Sequence, residues 1–444
     1  MRVKHLILLT LLLLFALVNL SCNAGKETKP AQTSKTKTPF SFRITWPDYS
    51  GRGEAIQKIV RVYNEKPNAS VRVTVTGGDE DLAALEKMLR SGESRTIYVL
   101  PYRYVQYFGD KGALADLSIY YAGQKNVFYP ALWKLGQVDG KTYGVPWLGH
   151  SMCLIYNKNL LNKAGVDASS IRSLATLVRA MEIVEAKTGT KGIGLVGANH
   201  NDVSWMVNQF LFGYGSTLVN PDGTAVTINN PKSKAALAFY KNVLGKHAQP
   251  SWVNDSGVEV MDHFRKQEVA FEIQGPWGVT DIDKSGRPFE VGILALGDIG
   301  LPSEVGPMML ALPTNMKAAD QAAAREFIDF LVSRPAQERI MDGEYSPEHD
   351  AYYPFRLPAR KDLLDSVVFV QYPEYRPFLL GFKQPSVDVP VPAWQTVKDK
   401  YYAPGLHRLM KGEISIDEFL ISIEREGNTV LAAHRKRDAA GEDE

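Results

Sequence analysis

The chain has 444 residues, 51 basic and 49 acidic, for a formal net charge of +2, with 45% hydrophobic residues and two cysteines. This balance favours neither nucleic acid nor a strongly anionic partner, and the length suits two domains of ordinary size. With only Cys22 and Cys153 available, a large core rather than disulfides must carry the stability.

Arg2, Lys4 and His5 precede an uncharged, leucine-dominated run from Leu6 to Leu20 and then Ser21-Cys22. Basic start, apolar run and small residue read as a secretory signal over residues 1–21, the run being shorter than the roughly 20 residues of a membrane span. Leu20-Ser21-Cys22 resembles the box of bacterial lipoprotein signals, with Asn19 where that box usually carries Leu, Val or Ile. The resemblance implies cleavage before Cys22, acylation of its thiol and attachment to the membrane. The alternative is a plain secretory signal with an incidental cysteine. Loss of the signal removes Arg2 and Lys4 and no acid, which leaves a mature charge of zero. Residues 22–40, rich in Lys, Thr, Gly and Pro, read as a flexible tether with too little apolar surface to order itself.

The fold is expected to begin near Phe40. Phe42, Ile44 and Trp46 alternate as a first strand, and Ile56, Ile59, Val60 and Tyr63 fall at helical spacing. Val71, Val73 and Val75 mark a second strand, Leu82, Leu85 and Leu89 a helix, and Ile97 to Leu100 a third strand. Strand-helix-strand-helix-strand predicts an open, mostly parallel α/β sheet, which binds ligands beyond the carboxyl ends of its strands. That rule points to the loops beginning at Trp46 and Leu100. Helices over 171–186, 232–244 and 261–266, with strands at 193–195, 269–271 and 291–294, predict a second lobe. A further helix spans Ala322 to Leu331, with Pro335 beyond its end. Cys153, within Met152-Cys153-Leu154-Ile155, reads as an inert core thiol.

No Walker phosphate loop, HExxH pair or G-x-S-x-G elbow is present; Gly149-His150-Ser151-Met152-Cys153 begins like an elbow but has Cys153 where glycine is required. The eight histidines show no metal-ligand spacing. No metal, cofactor or catalytic residue is therefore expected, and the chain does not read as an enzyme.

Several ordered motifs carry a resemblance. Gly140-Lys-Thr-Tyr-Gly-Val-Pro-Trp147, continuing through Leu154-Ile-Tyr156-Asn157-Lys158, resembles the first inter-lobe crossing of bacterial solute-binding proteins of the carbohydrate type. Ala270-Phe-Glu-Ile-Gln274-Gly275-Pro276-Trp277 resembles their G-P-W box. Met309-Leu-Ala-Leu-Pro313, the helix through Phe327 to Leu331, and Tyr353-Pro-Phe-Arg-Leu-Pro358-Ala-Arg360 are similar to later stretches of the same family. Together these cover about residues 41–430. The resemblance implies two α/β lobes joined by several hinge crossings, the first from 41–148 with 307–345, the second from 149–306 with 346–435, and a disordered tail over 436–444. It also implies a monomer that closes on a solute and delivers it to the membrane subunits of an ABC importer.

A pyranose has C–H faces that aromatic rings can cover and a rim of hydroxyls that needs polar partners. Trp277, in the G-P-W box, is implied to stack under the sugar; the alternative is a core tryptophan. Tyr102 and Arg103 follow the third strand, where the family has a polar pair, although a solvated surface arginine fits equally. Trp46, Asp48 and Tyr49 end the first strand. Trp147 and His150 lie at the crossing, where relatives often have a carboxylate in place of His150 and where a structural hinge histidine is the competing view. Asn199, His200, Asp202 and Trp205 open a helix, as ligand contacts or as an Asn or Asp cap. Trp394 matches a late aromatic contact, while Trp133 and Trp252 read as core. The leading function is a lipid-anchored receptor for a sugar or oligosaccharide. The alternatives are the same fold taking a polyol phosphate, a polyamine or a peptide-like solute, and a secreted carbohydrate-active enzyme or adhesin.

Overall fold

Apolar side chains recur at every second residue in Phe40, Phe42 and Ile44, each almost fully buried, so the first strand starts at Thr38 rather than after residue 40. The computed structural model describes residues 37–78, 82–91, 94–363, 371–383, 385–387, 389 and 391–440. The expected signal peptide, Cys22, nearly all of the tether and residues 441–444 lie outside them.

In chain order the first group comprises β1 (Thr38–Ile44), α1 (Gly51–Asn64), β2 (Val71–Gly77), α2 (Leu82–Arg90), β3 (Thr96–Pro101), α3 (Tyr102–Asp110) and β4 (Val145–Gly149). The second comprises β5 (Cys153–Asn157), α4 (Leu174–Thr188), β6 (Lys191–Gly194), α5 (Asn201–Gly213), α6 (Gly257–Arg265), β7 (Val269–Gln274), α7 (Pro276–Lys284) and β8 (Val291–Ala295). Then follow β9 (Ser303–Glu304), β10 (Met308–Ala311), α8 (Ala318–Leu331), β11 (Leu357–Pro358), β12 (Pro385–Ser386) and α9 (Ile416–Ala440). Helix α4 starts after Ser173, whose hydroxyl accepts from the Thr176 amide at 3.1 Å, a capping box that sets the boundary.

Two sheets organise these elements. One has six strands in the order β11-β4-β10-β3-β1-β2, the other four in the order β8-β5-β7-β6. The expectation of mostly parallel sheets is corrected. Strand β1 runs parallel to β3 and β6 to β7, but β10 is antiparallel to β3 and β4, β11 to β4, and β5 to β7 and β8. Strands joined through a covering helix come out parallel, whereas those on either side of a crossing enter their sheets from the opposite end. Strand β11 lies in the six-stranded sheet, so residues around 357–358 belong with the first lobe and not, as expected, with the second. Residues 436–440, expected in a disordered tail, are helical instead, because α9 continues to Ala440 on a run of helix-favouring Ala, Lys and Arg.

The crossings lie side by side. Met152 donates its amide to the Glu304 carbonyl at 3.0 Å, and the Ser303 hydroxyl donates to the Met152 carbonyl at 2.7 Å. Strand β9 pairs in parallel with β12, and Val305 donates to the Ser386 carbonyl at 3.0 Å. One apolar cluster includes Phe42, Trp147, Leu310 and Phe327 of the first lobe together with Cys153, Ile155 and Val291 of the second sheet. Cys153 is fully buried, and burial pushes its thiol well up, so it is an inert core group. A second cluster around Leu154, Phe271, Leu406 and Phe419 fills the other face.

Glu272 in β7 is buried with neither carboxyl oxygen hydrogen-bonded. Burial, with Asp281 adding to it, holds its pKa well above the usual carboxylate range. The native state therefore keeps a proton that the unfolded chain releases, so this group's contribution is best in acid and is lost as pH rises above the unfolded value. Glu272→Met is expected to raise the melting temperature by a few degrees at about pH 8, with the gain shrinking towards about pH 4. Calorimetric scans across pH check this.

Candidate functional site

The carboxyl ends of β1 and β3 open onto one cavity between the two sheets, of about 490 Å³, within the roughly 300–1,000 Å³ of small-molecule sites. Four helices begin on it. Arg103 lies in the first turn of α3, Asp202 and Trp205 near the start of α5, Val258 in α6 and Trp277 in α7. Several of their first-turn amides are already taken, Gly257 by Asp202 and Val258 by the Ser256 hydroxyl, so the side chains rather than free backbone donors define the lining.

Local sequence explains the pose of Trp277. Pro276 occupies the first helical position, where its missing N–H costs nothing. Gly275 makes room for the indole to fold back, since a Cβ there would lie 2.2 Å from its ring. The indole Nε1 donates to Gln274 Oε1 at 2.9 Å, and the half-buried ring faces the cavity. Arg356 places its guanidinium 4.4 Å from the centre of this ring and 5.5 Å from that of Trp46. Arg103 sits 5.6 Å from the ring of Trp205 and 5.0 Å from that of Tyr104.

His150, at the first crossing, meets the Trp277 ring edge-on at 5.1 Å and pairs through Nε2 with Glu304 Oε2 at 2.9 Å. Burial depresses its pKa, Arg356 and Arg103 depress it further, and Glu304 offsets only part of this. The imidazole is therefore neutral at neutral pH and donates to Glu304. Gly306 permits the packing, because a Cβ there would stand 2.5 Å from the ring. Burial, with Arg52 nearby, holds the Arg356 pKa down to about 9, so it remains a cation at neutral pH.

Of the residues singled out from sequence, Trp46, Tyr102, Arg103, His150, His200, Asp202, Trp205 and Trp277 line this cavity. The others do not. After Trp46 the chain turns through Asp48 and Tyr49 into α1, with Ser50 as its cap, and Tyr49 is 89% exposed. Trp147 is fully buried, edge-on to Phe42 at 5.3 Å, with its carbonyl taken by Gln337 at 2.9 Å. Trp394 is buried against Tyr402. Asn199 is exposed outside the helix, and the cap position of α5 falls to His200 instead of an Asn or Asp. The hydrogen bond to Asp202 Oδ2, 3.0 Å from His200 Nδ1, raises the His200 pKa. Trp133 is core, stacked on Phe128, and Trp252 is half-buried beside Tyr240.

Sequence reasoning missed Arg356, Arg52, Glu304 and Gln274, all of which line the cavity. Gln274 stood in the quoted G-P-W stretch and Arg356 in Tyr353-Pro-Phe-Arg, yet nothing in either pattern says which way the side chain points. Among the described residues no cluster of His, Cys, Asp or Glu could hold a metal ion, and no helix is long and apolar enough to cross a membrane.

Two lobes, adjacent crossings and an aromatic-lined cavity between them define a solute-binding architecture. The sequence profile of the bacterial extracellular solute-binding proteins matches residues 46–338, and the chain belongs to that family. It is 26% identical over 259 residues to a probable ABC transporter-binding protein of Deinococcus radiodurans, an alignment spanning 56% of this chain and 60% of that protein, less than two thirds of its length. It is 20% identical to the maltooligosaccharide ABC transporter solute-binding lipoprotein of Streptococcus pneumoniae over 88% of this chain and 89% of that one. In three dimensions it is similar to maltose-bound MalE3 of T. maritima, with a TM-score of 0.75 at 18% identity over 87% of this chain and 98% of the other, which establishes the two-lobe fold.

The positions of the tryptophans separate core from cleft. Trp394→Ala is expected to lower the unfolding free energy by about 3–5 kcal/mol in urea titrations while leaving the folded protein's solute affinity unchanged.

Proposed function

We propose that the chain works outside the cytoplasm as a monomeric receptor that holds a sugar or oligosaccharide between its lobes and delivers it to the membrane subunits of an ABC-type importer. The observation carrying this reading is that Trp277 and Trp205 of one lobe share a single cavity with Trp46 and Arg103 of the other. Indole faces cover the C–H faces of a pyranose, and the guanidinium donors of Arg103 stand where a hydroxyl rim would need partners. A solute touching both lobes stabilises the shut form, because only there are all its contacts made. The names of the pneumococcal relative and of the maltose-bound neighbour agree with this chemistry.

The reading is of binding without turnover. The His150 imidazole, which lines the cavity, is committed to Glu304. No serine or cysteine stands among the lining residues to be activated by it.

Adding sugars from a panel is expected to shift tryptophan emission for at least one of them, with Trp277→Ala weakening that sugar about 30-fold or more. Absence of any response, by fluorescence and by calorimetry, across mono- and oligosaccharides would sink the proposal.

We further propose that Cys22, after Leu20-Ser21, carries the lipid and that the segment up to β1 holds the body off the membrane. Cys22→Ala should move the protein from the membrane fraction to the soluble fraction of its host. Intact-mass measurement should find acyl chains on the native amino terminus and none on the variant.

A further inference from the structure

The charges in the cavity do not match. Its carboxylates are satisfied within the protein: Asp202 Oδ2 accepts from the Gly257 amide at 3.0 Å and lies 3.0 Å from His200 Nδ1, and Glu304 Oε2 lies 2.9 Å from His150 Nε2. Two of the cations are not. Among the described residues Arg103 and Arg356 make no ion pair, and the Nε of each is buried without a hydrogen-bond partner. Among the described residues the Arg356 side chain donates only to the carbonyl of its neighbour Phe355, at 3.1 Å. Each guanidinium instead rests near an indole of the second lobe, Trp205 for Arg103 and Trp277 for Arg356. Those two indoles lie 6.4 and 5.1 Å from the ring of His150, so the two positive groups converge on one part of the cavity.

A neutral sugar would answer some of their N–H donors. It would still leave two positive charges cut off from water once the lobes shut, and an uncompensated buried charge is among the costliest arrangements in a protein. A planar guanidinium takes a carboxylate or phosphate through two parallel hydrogen bonds, which supplies both the partner and the neutralisation. The same geometry argues against a polyamine, which would add positive charge.

We infer that the solute is an acidic saccharide, whose carboxylate or phosphate ester is held by Arg356 and Arg103 while its ring is covered by the neighbouring indoles. This rests on the sugar-receptor reading and narrows it. The near-zero charge of the mature chain gives no hint of it, because the imbalance is local to the cavity.

Calorimetry on the purified protein tests it with three sets of probes: galacturonic and glucuronic acids with their short oligomers, glucose 6-phosphate, and the neutral sugars galactose, glucose and maltose. At least one acid should bind tenfold or more tightly than its neutral parent, and the uronate and phosphate arms decide which group is recognised. Arg356→Met and Arg103→Met should each weaken that acid by about 10- to 100-fold and neutral sugars far less. Arg356→Lys, which keeps the charge but not the fork, should fall between, and it serves should the methionine variant fail to fold. Equal affinity for acid and neutral parent, or an acid preference untouched by both arginine variants, would overturn the inference and leave the sugar receptor standing. Failure of every saccharide, acidic and neutral, would remove the receptor reading itself.

Discussion

The site depends on one constraint, the hydrogen-bonded junction of Met152, Ser303, Glu304 and Ser386. Neither sheet contains a complete site. Trp277 and Trp205 belong to one lobe, and Arg103 and Trp46 to the other. They face each other because β4 passes into β5, and β9 towards β10, along adjacent paths whose backbone groups satisfy one another. A few residues between two lobes are the usual place where a closing rotation is absorbed, and these crossings have that position.

Electrostatics divides the crossing from the cleft. At the crossing, neutral His150 donates to Glu304 and packs on Gly306. In the cleft, the guanidiniums of Arg103 and Arg356 are held by aromatic faces and keep donors free for something else. Holding an arginine against an indole also removes part of the side-chain entropy that binding would otherwise cost.

Much of this was legible in the sequence, for identifiable reasons. The alternation of Phe42 with Ile44 and of Val71 with Val73 and Val75 marks strands, and Gly275-Pro276 before Trp277 marks a turn that favours an indole in the cleft. Periodicity does not report direction along a sheet, so the antiparallel strands beside the crossings were read as parallel. Nor does residue type distinguish an indole in a core from one in a cleft. Trp147 and Trp394 are buried, and only packing against Phe42 and Tyr402 separates them from Trp277. The loop expected at Tyr102 and Arg103 is already helix, because α3 begins directly after Pro101. The polar pair formed by His150 and Glu304 joins residues 154 positions apart, and no local pattern could have matched them.

The return of the chain through β12 has a mechanical corollary. Strand β12 pairs with β9, while β11, far upstream of it, sits in the six-stranded sheet. The polypeptide therefore bridges the halves by three covalent routes. A protease that nicks any one surface loop leaves the other routes intact, so a clipped molecule would migrate as fragments under denaturing conditions and as a whole body under native ones. That redundancy lets the folded body survive a single cut.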